Sequence, residues 1–96
     1  MALTYTREFK RIIEELAEGI MKIDGFYEFF DMSKNDWESL SLEEKFECAK
    51  TLADDVFYAL GKEPTMPMCG AVLQYDKSEG IIKIMQNNKN IYNVAL

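Results

Sequence analysis

The spacing of apolar residues changes once along this chain, near Pro64. Upstream they recur every three or four residues, the period of a helix with one buried stripe; downstream they alternate, the period of a strand with one buried face. Ninety-six residues supply one hydrophobic core. The two halves must therefore share it. The expectation is a single α+β domain over 1–96, with a helical half (1–63) and a sheet half (70–96). In it two long helices and a short connecting helix pack on one face of a three-stranded antiparallel meander.

The first helix is expected over 6–23, where Phe9, Ile12, Ile13, Leu16, Ile20 and Ile23 form the stripe and Ala17 lies beside it. Lys10–Glu14, Arg11–Glu15 and Glu18–Lys22 put opposite charges one turn apart on the other face. Gly19 costs this helix about 1 kcal/mol against alanine, and Asp24-Gly25 stops it. Ser41-Leu42-Glu43-Glu44 has the form of a capping box, in which the serine oxygen accepts from the third amide onward and Glu44 reaches back. A second long helix starts there, with Phe46, Ala49, Leu52, Ala53, Val56 and Leu60 as its stripe and Gly61 with Pro64 as its stop.

Lys62 to Pro67 reads as a linker, and Ala71–Tyr75, Ile81–Met85 and Ile91–Leu96 read as strands. Alternation assigns Leu73, Tyr75, Ile82, Ile84, Tyr92, Val94 and Leu96 to the inner face. The separators 76–80 and 87–90 are rich in residues that accept turn dihedrals, so consecutive strands pair antiparallel.

Charge and inventory narrow the function. The formal charge is −6, and between residues 24 and 63 eleven acidic residues face four lysines, so the acidity belongs to the middle of the chain. A surface of this sign attracts basic proteins and repels nucleic acid, which is bound through basic stripes that release counterions. Histidine is absent, and with it the usual neutral-pH base and the commonest metal ligand. Cys48 and Cys69 sit in apolar surroundings without paired spacing and read as reduced core residues. No apolar run has the length of a membrane span and the N-terminus has no leader pattern, so the expected location is cytoplasmic.

Three metal or acid–base patterns have simpler readings. Residues 31–42 begin with the one-three-five oxygen spacing of a calcium loop, but Asp36 stands where glycine is needed and Leu42 where a bidentate glutamate belongs. Glu14 with Glu18 and Glu43 with Glu47 stack carboxylates on consecutive turns, as exposed helix faces do by chance. Met66-Pro67-Met68-Cys69 offers soft sulfur ligands with no further cluster to complete a site, and reads instead as gap-filling beneath the helix–sheet junction.

What remains is "GFYEFFDM", residues 25–32, with four aromatic rings inside the acidic segment. On a helical turn Phe26, Phe29 and Phe30 share a face. The expected division sends Phe26 or Phe29 inward with Phe30, and Tyr27 and Trp37 outward. Aromatic anchors ringed by polar groups are the make-up of an interface hot spot. The expected partner-binding residues are therefore Phe26, Tyr27, Phe30, Asp31, Asp36, Trp37 and Glu38. A second surface is the last strand, an edge with Ile91, Asn93 and Ala95 available for pairing with another chain or a second copy.

The chain is accordingly read as a non-catalytic interaction module, an adaptor, inhibitor or regulator of a protein with a basic surface, without cofactor, metal, nucleic acid or membrane. Two alternatives stand beside it. One is a DNA mimic whose helix-borne carboxylates copy phosphate spacing; the other is a carboxylate enzyme or metal protein using Glu14, Glu18 or Asp54 with Tyr58.

Overall fold

A computed structural model describes residues 5–23 and 25–96. Asp24, one of the eleven acids and half of the expected helix stop, lies outside the described residues, as do residues 1–4. In chain order the elements are α1 (Phe9–Ile20), a 3-10 turn named η1 (Phe26–Phe30), α2 (Lys34–Glu38), α3 (Leu42–Lys62), β1 (Thr65–Met68), β2 (Ala71–Asp76), β3 (Ile81–Gln86) and β4 (Lys89–Ala95). The fold is α+β, with helices packed on a four-stranded antiparallel sheet of order β1-β2-β3-β4.

The strand count corrects the expectation of three. Residues 65–67, expected in the linker, and Met68 after them pair with β2 in the register Thr65↔Gln74 to Met68↔Ala71. Pro67 hid this strand, because proline cannot donate to a ladder; on an edge strand its missing N–H faces away from the sheet and costs nothing. Met68 is buried in the core beneath α3, in keeping with its reading as a residue that fills the helix–sheet junction.

Two turns are two-residue loops with positive φ at both positions: Cys69-Gly70 (49° and 81°) and Asn87-Asn88 (55° and 62°). That is the type I′ geometry whose twist matches the flanking strands. Between β2 and β3, the carboxylate of Asp76 accepts from the Ser78 hydroxyl at 2.7 Å and the Glu79 amide at 3.2 Å, closing the longer turn.

Both long helices lie on one face. They run antiparallel, α1 over β4 and α3 over β1, in contact with each other along their length. The core between the layers holds Ile12, Leu16, Ala17 and Ile20 of α1, Ala49, Leu52, Ala53, Val56 and Leu60 of α3, and Leu73, Ile82, Ile84 and Val94 of the sheet. Tyr75 and Tyr92, expected inside, stand half-buried at its margin. The capping box of α3 forms as its sequence predicts, with Glu44 N–H donating to Ser41 Oγ at 3.1 Å and Ser41 N–H donating to Glu44 Oε1 at 2.8 Å.

Helix one is shorter than its apolar stripe, ending at Ile20 instead of residue 23 and starting at Phe9. Phe9 therefore occupies the first helical position. It is 41% exposed, which corrects its assignment to the core.

Candidate functional site

The acidic segment forms one end of the helical layer. Gly25, at φ 73°, lets the chain leave α1 in a left-handed turn that few side-chain-bearing residues adopt. The 3-10 turn that follows has three residues per turn, and its rings separate by depth. Phe26 enters the core at 4% exposure and Phe30 packs half-buried against the same cluster, while Phe29 points out at 47%. Of the two expected divisions the structure has Phe26 inward with Phe30, so the three rings do not share one face; the outward ring is Phe29, which the expected binding set omitted.

Trp37 is corrected too. Ser33 caps α2 by accepting from the Asp36 amide at 3.1 Å, and this short helix lays Trp37 against the core instead of outward. Its ring meets Phe26 edge-on with centroids 4.7 Å apart, and Tyr27, half-buried, meets Trp37 in turn at 6.1 Å. Phe30 bridges Phe26 at 6.3 Å and Phe29 at 6.5 Å, again edge to face. Five rings thus form one connected stack. Phe26 is its root, Trp37 and Phe30 are its middle, and Tyr27 and Phe29 are its tips. Lys45 Nζ of α3 stands over the indole, 5.7 Å from the ring centroid.

Around these rings Glu28, Asp31, Asp36 and Glu38 are all exposed, and so are Glu43, Glu44 and Glu47 on the first turns of α3. Leu42, the first residue of α3, is 77% exposed between them in sequence. Hydrogen bonds donated by the Ser41 amide and by its hydroxyl hold the Glu44 carboxyl below the usual carboxylate range. The arrangement is apolar tips in an acidic frame. Phe29 and Leu42 were overlooked because alternation and helical spacing say which residues share a face, not how deep each sits on a single short turn.

At the sheet's far edge, β4 is defended in ways its sequence concealed. Leu96 N–H donates to Gly80 O at 3.0 Å, so by antiparallel alternation Val94 and Tyr92 direct their backbone groups to β3 and Asn93 and Ala95 direct theirs outward. Arg7 Nη1 donates to the outward carbonyl of Ala95 at 3.0 Å. A register shift leaves Ile91 as an extra residue between Tyr92↔Ile84 and Asn90↔Met85, and Asn90 Nδ2 bonds Asn93 Oδ1 at 2.8 Å across it. Bulges of this kind bend an edge away from further pairing. The run of edge open to another strand is short.

A cleft of about 520 Å³ lies between the segment before α1 and the β2–β3 turn, with Arg7, Lys77 and Glu79 on its wall. Arg7 is committed to Glu15, whose two carboxylate oxygens accept from both its terminal nitrogens. Among the described residues no three acidic or cysteine side chains come together as ligands for a metal, and no helix is long and apolar enough to cross a membrane. Set against known proteins, the chain matches no family model, no curated protein and no solved structure.

Proposed function

We propose that this chain is a non-catalytic protein-binding module that docks a partner with a basic surface through the η1–α2 end. The observation that carries the reading is Phe29: a large ring 47% exposed, braced edge-on by Phe30, between the exposed carboxylates Glu28 and Asp31. An apolar tip held by neighbouring rings is already ordered before binding, so little side-chain freedom is left to lose when a partner covers it. The acidic frame attracts a basic partner and sets orientation, while the ring supplies contact energy.

Immobilised chain, challenged with cell lysate at moderate salt, tests this. Retained proteins should have basic surfaces. Retention should fall with Tyr27→Ala and with the charge reversals Asp31→Lys and Asp36→Lys, each variant first shown by circular dichroism to keep the fold. Unchanged retention in all three variants rejects this surface.

Raised salt separates the reading from phosphate mimicry. Loss of affinity as steep as the release of many counterions favours the mimic; a shallow dependence favours the aromatic anchor.

A further inference from the structure

A second group of rings lies at the other end of the helix pair, where the start of α1 meets the second half of α3. Phe9 meets Phe57 edge-on at 5.1 Å, and Tyr5 stands 5.8 Å from Phe9 and 5.7 Å from Phe57. Tyr5 is 44% exposed, close to the value for Phe9. Hydrogen bonds from the amides of Thr6 and Arg7 to Leu96 O, each 2.9 Å, hold the backbone that presents it. Next to these rings, the seam between α1 and α3 opens into a groove of about 220 Å³ lined by Phe9, Lys10, Ile13, Glu14, Lys50 and Asp54.

From this geometry we infer that the α1–α3 seam is the self-association surface of the chain, its occupant a second copy related by a two-fold axis. Charge selects the occupant. The seam carries two lysines and two acids, whereas the chain as a whole is at −6 and the η1–α2 end is a frame of carboxylates. A basic partner gains nothing from a neutral seam. A second acidic copy, however, needs a face where like charges do not oppose each other, and a patch with both signs can meet itself with opposite signs paired. Shape agrees, because a two-fold contact brings the same patch together twice and therefore requires a projection and a recess on one surface. The projecting Tyr5 and Phe9 rings and the adjacent groove provide both. The seam is also a more complete surface than β4, whose edge is interrupted by the bulge at Ile91 and by Arg7 on Ala95 O.

Light scattering after size separation tests the inference on the full chain. Wild type at up to about 200 μM, far above the micromolar Kd of a weak specific dimer, should approach twice 11.1 kDa. Phe9→Glu should give the single-chain mass and raise the dimer Kd at least about tenfold. This substitution puts an acid in the first turn of α1, which holds none and where the helix dipole favours one, partly offsetting the lost ring contacts, so the monomer should keep its fold, checked by circular dichroism. A chain carrying Lys10→Glu and Lys50→Glu, mixed with one carrying Glu14→Lys and Asp54→Lys, should form a mixed dimer tighter than either forms alone.

Phe29→Ser should dimerise like wild type, which keeps this test separate from the partner-binding reading. A wild type that stays monomeric throughout overturns the inference. So does a dimer that survives Phe9→Glu, or one that is lost with Asn93→Pro instead, which would place the contact on β4.

Discussion

Trp37 stands edge-on to Phe26, their ring centroids 4.7 Å apart and their planes at 82°. Through this contact α2 is attached to the core, since Phe26 is buried at 4% exposure and α2 has no buried residue of its own. Phe26→Ala should therefore cost about 3–5 kcal/mol, the range for emptying a buried phenylalanine site. It should also free the only tryptophan, moving its emission to the red under folding conditions. Phe29→Ser, at the exposed tip of the same stack, should change stability by no more than about 0.5 kcal/mol. Urea unfolding followed by fluorescence measures both.

Gly19 is a close-approach glycine. A Cβ placed there would stand 2.5 Å from Tyr92 Cδ2 and 2.7 Å from Ile84 Cδ1. Alanine gains about 1 kcal/mol of helix propensity, but crowding a packed contact costs about 1–3 kcal/mol. Ile84 Cδ1 can swing aside; the rigid ring of Tyr92, whose hydroxyl donates to Glu18 Oε2 at 3.3 Å, moves less easily. Gly19→Ala should lower stability by about 1 kcal/mol, read as a lower denaturant midpoint with unchanged slope.

Cys69 sits at φ 49° in the β1–β2 turn, a left-handed position where cysteine is strained and asparagine is not. Its thiol makes one weak hydrogen bond, Sγ to Phe26 O at 3.8 Å. Because that bond is long, backbone relief should dominate. Cys69→Asn should raise stability by up to about 1 kcal/mol, measured as a higher melting temperature in reducing buffer.

Acid should expose the contribution of Arg7. The hydrogen bond from its guanidinium, aided by its charge, holds the Glu15 carboxyl below the usual range. The unfolded carboxyl takes up a proton at higher pH than the folded one, so this contribution is complete above the ordinary carboxylate range and disappears as pH falls through the folded pKa. Asp76, lowered by the Ser78 hydroxyl and the Glu79 amide, has the same sign. Arg7→Gln should shift the acid-unfolding midpoint to higher pH, monitored by far-UV circular dichroism. Lys83→Gln, whose partner Asp76 keeps its two other donors, should shift it less.

Much of the fold was legible because its signals are periodic. The stripe on α3, the Ser41 capping box and the three strands after residue 70 each rest on a repeat or on a local hydrogen-bonding pattern that the sequence states directly. The strand at 65–68 was hidden by Pro67, whose edge location depends on which neighbour β2 chooses. Phe9 misled for a related reason: periodicity gives its face but not how deep a residue sits at the first position of the helix. At the η1–α2 end the composition pointed to a surface, yet the depth of each ring depends on Phe26 filling the core first. That is settled by packing, and it turned Trp37 inward and left Phe29 outside.

The affinity of Phe29→Ser for a partner retained by the wild-type chain, measured by calorimetric titration, bears on the proposed surface most directly. The account predicts a loss of about 2 kcal/mol or more, the mark of an aromatic anchor, with the fold intact. An affinity within a factor of about two of wild type (about 0.4 kcal/mol) would contradict it.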